Sequence, residues 1–416
     1  MGYNRLFQWA GLAILTLYLV SCFAPLRLES DSLHYFGIKD CLEYGCPPGF
    51  LAAKGNRPYG YPVLLLLLSK IGILRSFCIA FINGLYLLGG LYFVQRIFGQ
   101  VIHPFLFFMV MSLNWVFIKF FAYPLSDMQY LFFSTGSLYC FFRYREQRRI
   151  PLLISAFALA GLAFLTRTIG IALAPALIAG VAWEHRIALK KNIRRNGMWI
   201  LSILLLIILL VFVFSKFLGL DHYMDVLSRQ RQGGAGAGEI IEGHLREWGQ
   251  LFLNTPAGKI GAYLPGGAGN GLIVLAGILL FAWFAYVFFL RRAAIPLFIT
   301  VYLVIYGLIL FNWPFYDPRF WAPVLPLVGA ILLQTPFDKI PFGRGIGYFL
   351  FVVYSLMGGV AIGYSLYTEF DKKAFARIQA KGIYRNEYET FFFGNPLSDT
   401  ATHIDPYVLH VLKTYD

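Results

Sequence analysis

Two acids and three arginines stand where an otherwise apolar chain would be expected to exclude charge. Asp31 opens the segment DSLHY (Asp31 to Tyr35), directly after the first apolar stretch. A carboxylate at a lipid–water boundary can act as a general base or bind a divalent metal, because partial desolvation raises its basicity. The alternative is a helix cap: Ser30 or Asp31 would start a short amphipathic helix of about 31–44 lying on the membrane surface. Asp127 follows Pro124 at the end of another apolar run. An ionisable residue at such a helix end is a candidate for function, and the alternative is a cap or a partner for the helix dipole. Arg57, Arg167 and Arg319 can each bind a phosphate bidentately and keep their charge when partly buried. Arg167 interrupts the apolar FLTRTIG, where it needs an anion or a partner such as Asp127 or Asp31. Arg319 in DPRFW has Asp317 beside it as a local partner, and Arg57 could equally snorkel at the interface. Lys119 is a weaker candidate of the same kind. His34 near Asp31 invites a metal reading, but neither HExxH nor CxxC occurs. Asp31 and Asp127 with water would suit Mg or Mn better than Zn. Cys41 and Cys46 are close enough in sequence to pair in a bent loop, while Cys22, Cys78 and Cys140 fall within apolar runs.

The elements that must position these groups follow from composition. Hydrophobic residues make up 58% of the 416 positions and charged residues 13%. A soluble domain carries about 25% charged residues, so this chain lacks the charge to coat a water-facing surface. Five Cys in 416 residues exclude a small disulfide scaffold. The expected class is an all-α polytopic membrane protein. Apolar stretches at 6–24, 76–95, 102–121, 125–142, 150–166, 168–183, 198–218, 271–290, 293–312, 320–335 and 345–368 give about 11 transmembrane helices. The stretch 6–24 reads as the first span and not as a cleaved signal, since no small-residue cleavage site precedes Pro25. The run 61–69 is too short to cross about 30 Å of hydrocarbon as a straight helix, and reads as an interfacial or re-entrant segment; the alternative, full spanning, would turn the later basic loops outward.

Charge placement sets orientation. With the N-terminus inside, the inner loops hold Arg5, Arg96, Arg143, Arg145, Arg148, Arg149, Arg186, Lys190, Lys191, Arg194, Arg195, Arg291, Arg292, Lys339 and Arg344, the positive-inside pattern. Of the acids only Glu146, Glu184 and Asp338 fall inside. The net charge of +14 is therefore explained by orientation and anionic lipid, with no need for nucleic acid. The expected organisation is a membrane domain over 1–369 and a small outer tail over 370–416. Within the domain, 25–75 forms the first outer loop with its juxtamembrane helices. An outer loop over 219–270 contains GGAGAG, Gly233 to Gly238, which reads as flexible.

These features together resemble the GT-C superfamily of membrane glycosyltransferases, in its protein mannosyltransferase and aminoarabinose transferase-like branches. The matching segments are DSLHY (Asp31 to Tyr35), RPYGYPVLLLLL (Arg57 to Leu68), YPLSD (Tyr123 to Asp127), GLAFLTRTIG (Gly161 to Gly170) and DPRFWAPVLP (Asp317 to Pro326), in the family's order across roughly 1–335. The resemblance implies an enzyme that moves a hexose or pentose from a polyprenyl-phosphate donor to a lipid, glycan or protein acceptor, with inversion. It implies Asp31 as base, Asp127 as the second acidic site, and Arg57, Arg167 and Arg319 on the donor phosphate. His34, Tyr35, Tyr61 and Asp317 would contact substrate. A glycosidase needs two carboxylates, but a phosphate leaving group already activates the sugar, so one base and positive charge suffice.

The rival readings are a transporter or flippase of lipid-linked saccharides, and an O-antigen-type polymerase or ligase. A transporter should show repeats and polar residues at the midplane; no repeat is present, and the acids cluster at outer helix ends. No N-x-[ST] sequon with x other than Pro occurs. That favours a bacterial inner membrane, with the N-terminus cytoplasmic and the active site and C-terminus periplasmic.

Overall fold

A computed structural model describes residues 2–46, 57–186, 228, 236–264, 267–339, 341–397 and 404–416. The expected span 198–218, the inner-loop residues Lys190, Lys191, Arg194 and Arg195, and part of the GGAGAG stretch lie outside the described residues. The described elements are helical. They are α1 (Gly2–Ser21), α2 (Ser30–Tyr44), α3 (Gly60–Lys70), α4 (Ser76–Phe98), α5 (Pro104–Ser112), α6 (Trp115–Phe120), α7 (Asp127–Gln147), α8 (Ile150–Thr166) and α9 (Leu173–Glu184). They continue with α10 (Ala237–Phe252), α11 (Ala257–Tyr263), α12 (Ala268–Arg291), α13 (Leu297–Phe311), α14 (Leu325–Leu332), α15 (Gly343–Phe370), α16 (Lys372–Ile378), α17 (Arg385–Phe393) and α18 (Pro406–Tyr415).

Among the described residues, three helices are long and apolar enough to cross a membrane: α4, α12 and α15. Shorter apolar helices lie at Trp9–Ser21, Gly60–Lys70, Ile150–Thr166, Thr168–Glu184 and Leu297–Phe311. Among the described residues, the stretches 320–335 and 102–121, both expected as spans, are not single α-helices. The stretch 320–335 begins as a 3₁₀ turn (Pro318–Trp321) and holds only the short α14. The stretch 102–121 is broken at Leu113 and Asn114 into α5 and α6.

Polar side chains fill that break. The Asn114 side chain caps α6 by accepting from the Val116 N–H at 3.0 Å. Asn254, from beyond α10, accepts from the Trp115 N–H at 2.8 Å and donates to the Leu113 carbonyl at 2.8 Å. Backbone groups released at an interruption must find such partners, because hydrocarbon offers none.

α7 and α8 form a hairpin with α4 packed on α7, and α10 lies across α12. Close approach is built in where small residues allow it. A Cβ at Gly60 would sit 2.6 Å from the Leu165 carbonyl oxygen, so α3 meets the end of α8 backbone to backbone.

Two of the segments expected outside, the first loop and the C-terminal tail, gather at one end, whereas Asn254 of the expected outer loop 219–270 packs against Leu113 and Tyr354 within the bundle. Tyr388 of α17 accepts from the Leu28 N–H at 2.9 Å and donates to the Leu26 carbonyl at 2.6 Å. Lys39 of α2 donates to the Tyr415 hydroxyl at 2.6 Å, and Phe36 stacks on Tyr415 at 5.0 Å. Cys41 and Cys46 are joined as a disulfide with Cα atoms 4.4 Å apart. At the other end, Glu184 accepts from Arg145 and Arg148, each at 2.6 Å. Between the two ends the bundle shows apolar surface, with Val352, Leu356 and Val360 of α15 exposed.

Candidate active site

The site is built on the first turn of α2. Its cap is Glu29, whose N–H donates to Ser32 Oγ at 3.2 Å. Neither Ser30 nor Asp31, expected as caps, plays that part: the helix starts one residue earlier than expected. Asp31 is left free to turn its carboxylate toward other elements.

Two guanidiniums meet it there. Arg57, just before α3, donates through Nε to Asp31 Oδ1 at 3.1 Å, and Arg319 donates through Nη2 to Oδ2. The Arg57 contact replaces interfacial snorkelling. Arg319 also keeps its local partner, with Nε 3.2 Å from Asp317 Oδ2. The second oxygen of Asp317 accepts the Arg319 N–H at 3.0 Å, closing the 3₁₀ turn. Burial by itself would raise the Asp31 carboxyl, but the Arg319 and Arg57 charges outweigh it and hold the group well below the usual carboxylate range. The Arg319 side chain is 12% exposed and that of Asp31 21%, so this ion cluster is largely shielded from water.

Asp127 and Arg167 form a second, deeper pair. Asp127 is 2% exposed, and its carboxylate accepts from Arg167 Nη1. Arg167 adopts extended backbone where α8 gives way to the 3₁₀ turn Thr168–Ala172. Its guanidinium lies 5.5 Å from the centre of the Phe320 ring, and that of Arg319 lies 5.3 Å from the same ring. Phe320 thus joins the two ion clusters. The Tyr35 hydroxyl, 2.8 Å from Ser126 Oγ, ties α2 to the residue before Asp127.

Tyr35 and Tyr61 are buried, with ring centres 5.2 Å apart. Both rings belong to the buried core beside the site. His34 is half-buried on α2, one turn beyond Asp31. Glu29 was not singled out from sequence. Burial raises its carboxyl, while Lys119, Arg319 and Lys381 act against that rise. The sequence signal was the ESDS run, in which Glu29 and Ser32 have capping-box spacing.

A divalent cation does not suit this donor set. Both Asp31 oxygens are engaged by guanidiniums, and Asp127 faces Arg167. Among the described residues, no three His, Cys, Asp or Glu side chains gather as a metal site.

Behind the 3₁₀ turn lies an apolar cavity of about 240 Å³, lined by Met111, Trp248, Trp283, Trp321, Val324 and Tyr354 among others. The turn that carries Arg319 ends on Trp321, so cation and cavity share one short segment.

No family model matches the chain, and no curated protein matches it. Two solved structures are similar to it. They are ArnT from Cupriavidus metallidurans in the apo state, 15% identical with a TM-score of 0.46, and the same protein bound to undecaprenyl phosphate, 16% identical with a TM-score of 0.46. Each similarity covers 94% of this chain and 68% of the other.

Proposed function

We propose that this chain is an integral membrane glycosyltransferase that moves a sugar from a polyprenyl-phosphate donor to an acceptor hydroxyl, on the side of the membrane where the first loop and C-terminal helices meet. In a bacterial inner membrane that side would be the periplasm. The observation that carries the reading is the Asp31 carboxylate shared by Arg57 and Arg319, two cations brought from separate elements to one anion. A phosphate offers the same guanidiniums more oxygens and more charge. The adjoining apolar cavity suits a molecule with an anionic head and an apolar body.

The chemistry follows from that exchange. While both arginines hold Asp31, its carboxylate is a weak base. An arriving donor phosphate draws the arginines to itself, and the basicity of Asp31 rises. Asp31 then takes the proton of the acceptor hydroxyl as that oxygen attacks the anomeric carbon. The bond from that carbon to the phosphate oxygen breaks, and its electron pair leaves on the polyprenyl phosphate. Arg57 and Arg319 offset the charge that develops there. Attack from the face opposite the leaving group inverts the anomeric centre. Asp127, buried against Arg167, serves as the counter-ion that holds Arg167 beside the site.

The test is sugar transfer by the purified protein in detergent from an undecaprenyl-phosphate sugar. Asp31→Asn should lose transfer by about 100-fold or more, the usual scale for losing a general base. The same variant should bind undecaprenyl phosphate about two- to fivefold more tightly, because it removes an ion pair of modest strength that competes with the phosphate. Full transfer by Asp31→Asn would overturn the base assignment.

A further inference from the structure

The loop that carries Arg319 is held at both ends by one buried pair on α10. His244 and Glu247 lie one helical turn apart, 0% and 1% exposed in their side chains. His244 Nδ1 is 2.6 Å from Glu247 Oε2. His244 Nε2 donates to the Trp313 carbonyl at 2.8 Å, and the Trp321 indole N–H donates to Glu247 Oε2 at 2.8 Å. Residues 313 and 321 bracket the segment with Asp317, Arg319 and Phe320. Within it, the 3₁₀ turn Pro318–Trp321 is the only regular structure.

The proton inventory of the pair is constrained. Both ring nitrogens of His244 face acceptors, and a neutral imidazole donates from one nitrogen alone. A second proton is therefore shared between His244 and Glu247. One glutamate oxygen serves both His244 and Trp321. Burying such a pair is costly, and well-packed apolar residues of similar volume are often as stable or more so. A role in fixing geometry accounts for its presence better than stability does. The ring of His244 is also packed edge-on to Tyr316 at 5.4 Å and Phe311 at 5.5 Å, so the pair cannot swing away from the loop without unpacking it.

We infer that His244 and Glu247 are positioning residues that hold the 313–321 segment so that Arg319 meets the donor phosphate. This rests on the donor reading above. The pair does not touch the reacting atoms; it acts through Trp313, Trp321 and the turn between them.

The experiment is a double-mutant cycle on the affinity of the full-length protein for undecaprenyl phosphate in detergent, with melting temperatures measured in parallel. With His244 neutral and its proton donated from Nε2 to Trp313, a glutamine at 247 can satisfy Nδ1 of His244 or the Trp321 N–H at that position, not both, so Glu247→Gln releases one contact with little change of shape. Trp321→Phe keeps the aromatic bulk, removes the N–H, and carries the test if Glu247→Gln fails to fold. Each is expected to weaken binding about tenfold, the scale of a lost hydrogen bond to a charged group. Arg319→Gln should weaken it at least as much. Adding Glu247→Gln or Trp321→Phe to Arg319→Gln should weaken it no further, because the pair acts through Arg319. Additive losses, or unchanged affinity in both Glu247→Gln and Trp321→Phe with only a lower melting temperature, would overturn the positioning role. If the wild type fails to bind, or Arg319→Gln binds as the wild type does, the donor reading falls and this inference falls with it.

Discussion

Asp31 divides its two oxygens between Arg57 and Arg319, and that division governs how the site responds to acid. The folded carboxyl lies below its ordinary value of 3.8, since the two guanidiniums outweigh burial. A depressed folded value means that the clamp contributes stability in full above the unfolded value, and that the contribution is lost as pH falls through the folded one. The melting temperature of the wild type should therefore exceed that of Asp31→Asn at neutral pH, and the gap should begin to narrow as pH falls below about 4 and close only below the depressed folded value. A gap that is constant down to strong acid would show that the ion cluster adds nothing to the folded state. Under the proposed function, the same depressed value means that Asp31 gains basicity only when a donor phosphate draws the arginines away.

At the scale of elements, the Asp127–Arg167 pair joins the start of α7 to the end of α8. The two helices already pack along their length, so the pair fixes their register at the site end. Both side chains are largely buried, Asp127 at 2% and Arg167 at 18% exposure. Removing either partner leaves the other charge stranded, at a cost of about 3 kcal/mol. Asp127→Asn and Arg167→Gln should each lower stability by that order, and the double variant should lose clearly less than the sum. Chemical or thermal denaturation in detergent reads the coupling, and strict additivity would mean the two do not interact. The broken stretch 102–121 belongs to this scale as well. Its apolar residues read as one span, yet Asn114 and Asn254 supply the partners that let the chain change direction between α5 and α6.

Across the whole molecule, the C-terminal helices brace the first loop. α18 reaches α2 through the Lys39–Tyr415 hydrogen bond and the Phe36–Tyr415 stack, and Asp416 accepts from the Leu26 N–H. Deleting residues 404–416 should loosen α2 and, with it, Asp31. The expected signs are faster amide exchange over 30–44 and a severalfold loss of donor affinity, while exchange in α7 and α8 stays unchanged. Wild-type exchange over 30–44 in the truncated protein would show that α2 holds its place without this brace.

Helical class, a membrane setting and the presence of a few charged residues among apolar ones were legible in the sequence. Each depends on local quantities: apolar run length, the placement of basic residues, and the rarity of charge in apolar surroundings. Partnership was legible only in part: Asp127 for Arg167 and Asp317 for Arg319 stood among the expected partners and are met, whereas the clamp on Asp31 was not foreseen. Asp31 meets one arginine 26 residues away and another 288 residues away, and nothing local distinguishes these from other arginines. Tyr35 and Tyr61 stood in suggestive motifs, and the fold buries both rings in the core. His244 and Glu247 had helical spacing but no recognised motif, and only the approach of the 313–321 segment gives them their partners Trp313 and Trp321. Chain composition determined the medium that this protein folds in. Tertiary structure decided which charges meet, because the energy of an ion pair depends on distance and burial in space, and sequence separation fixes neither.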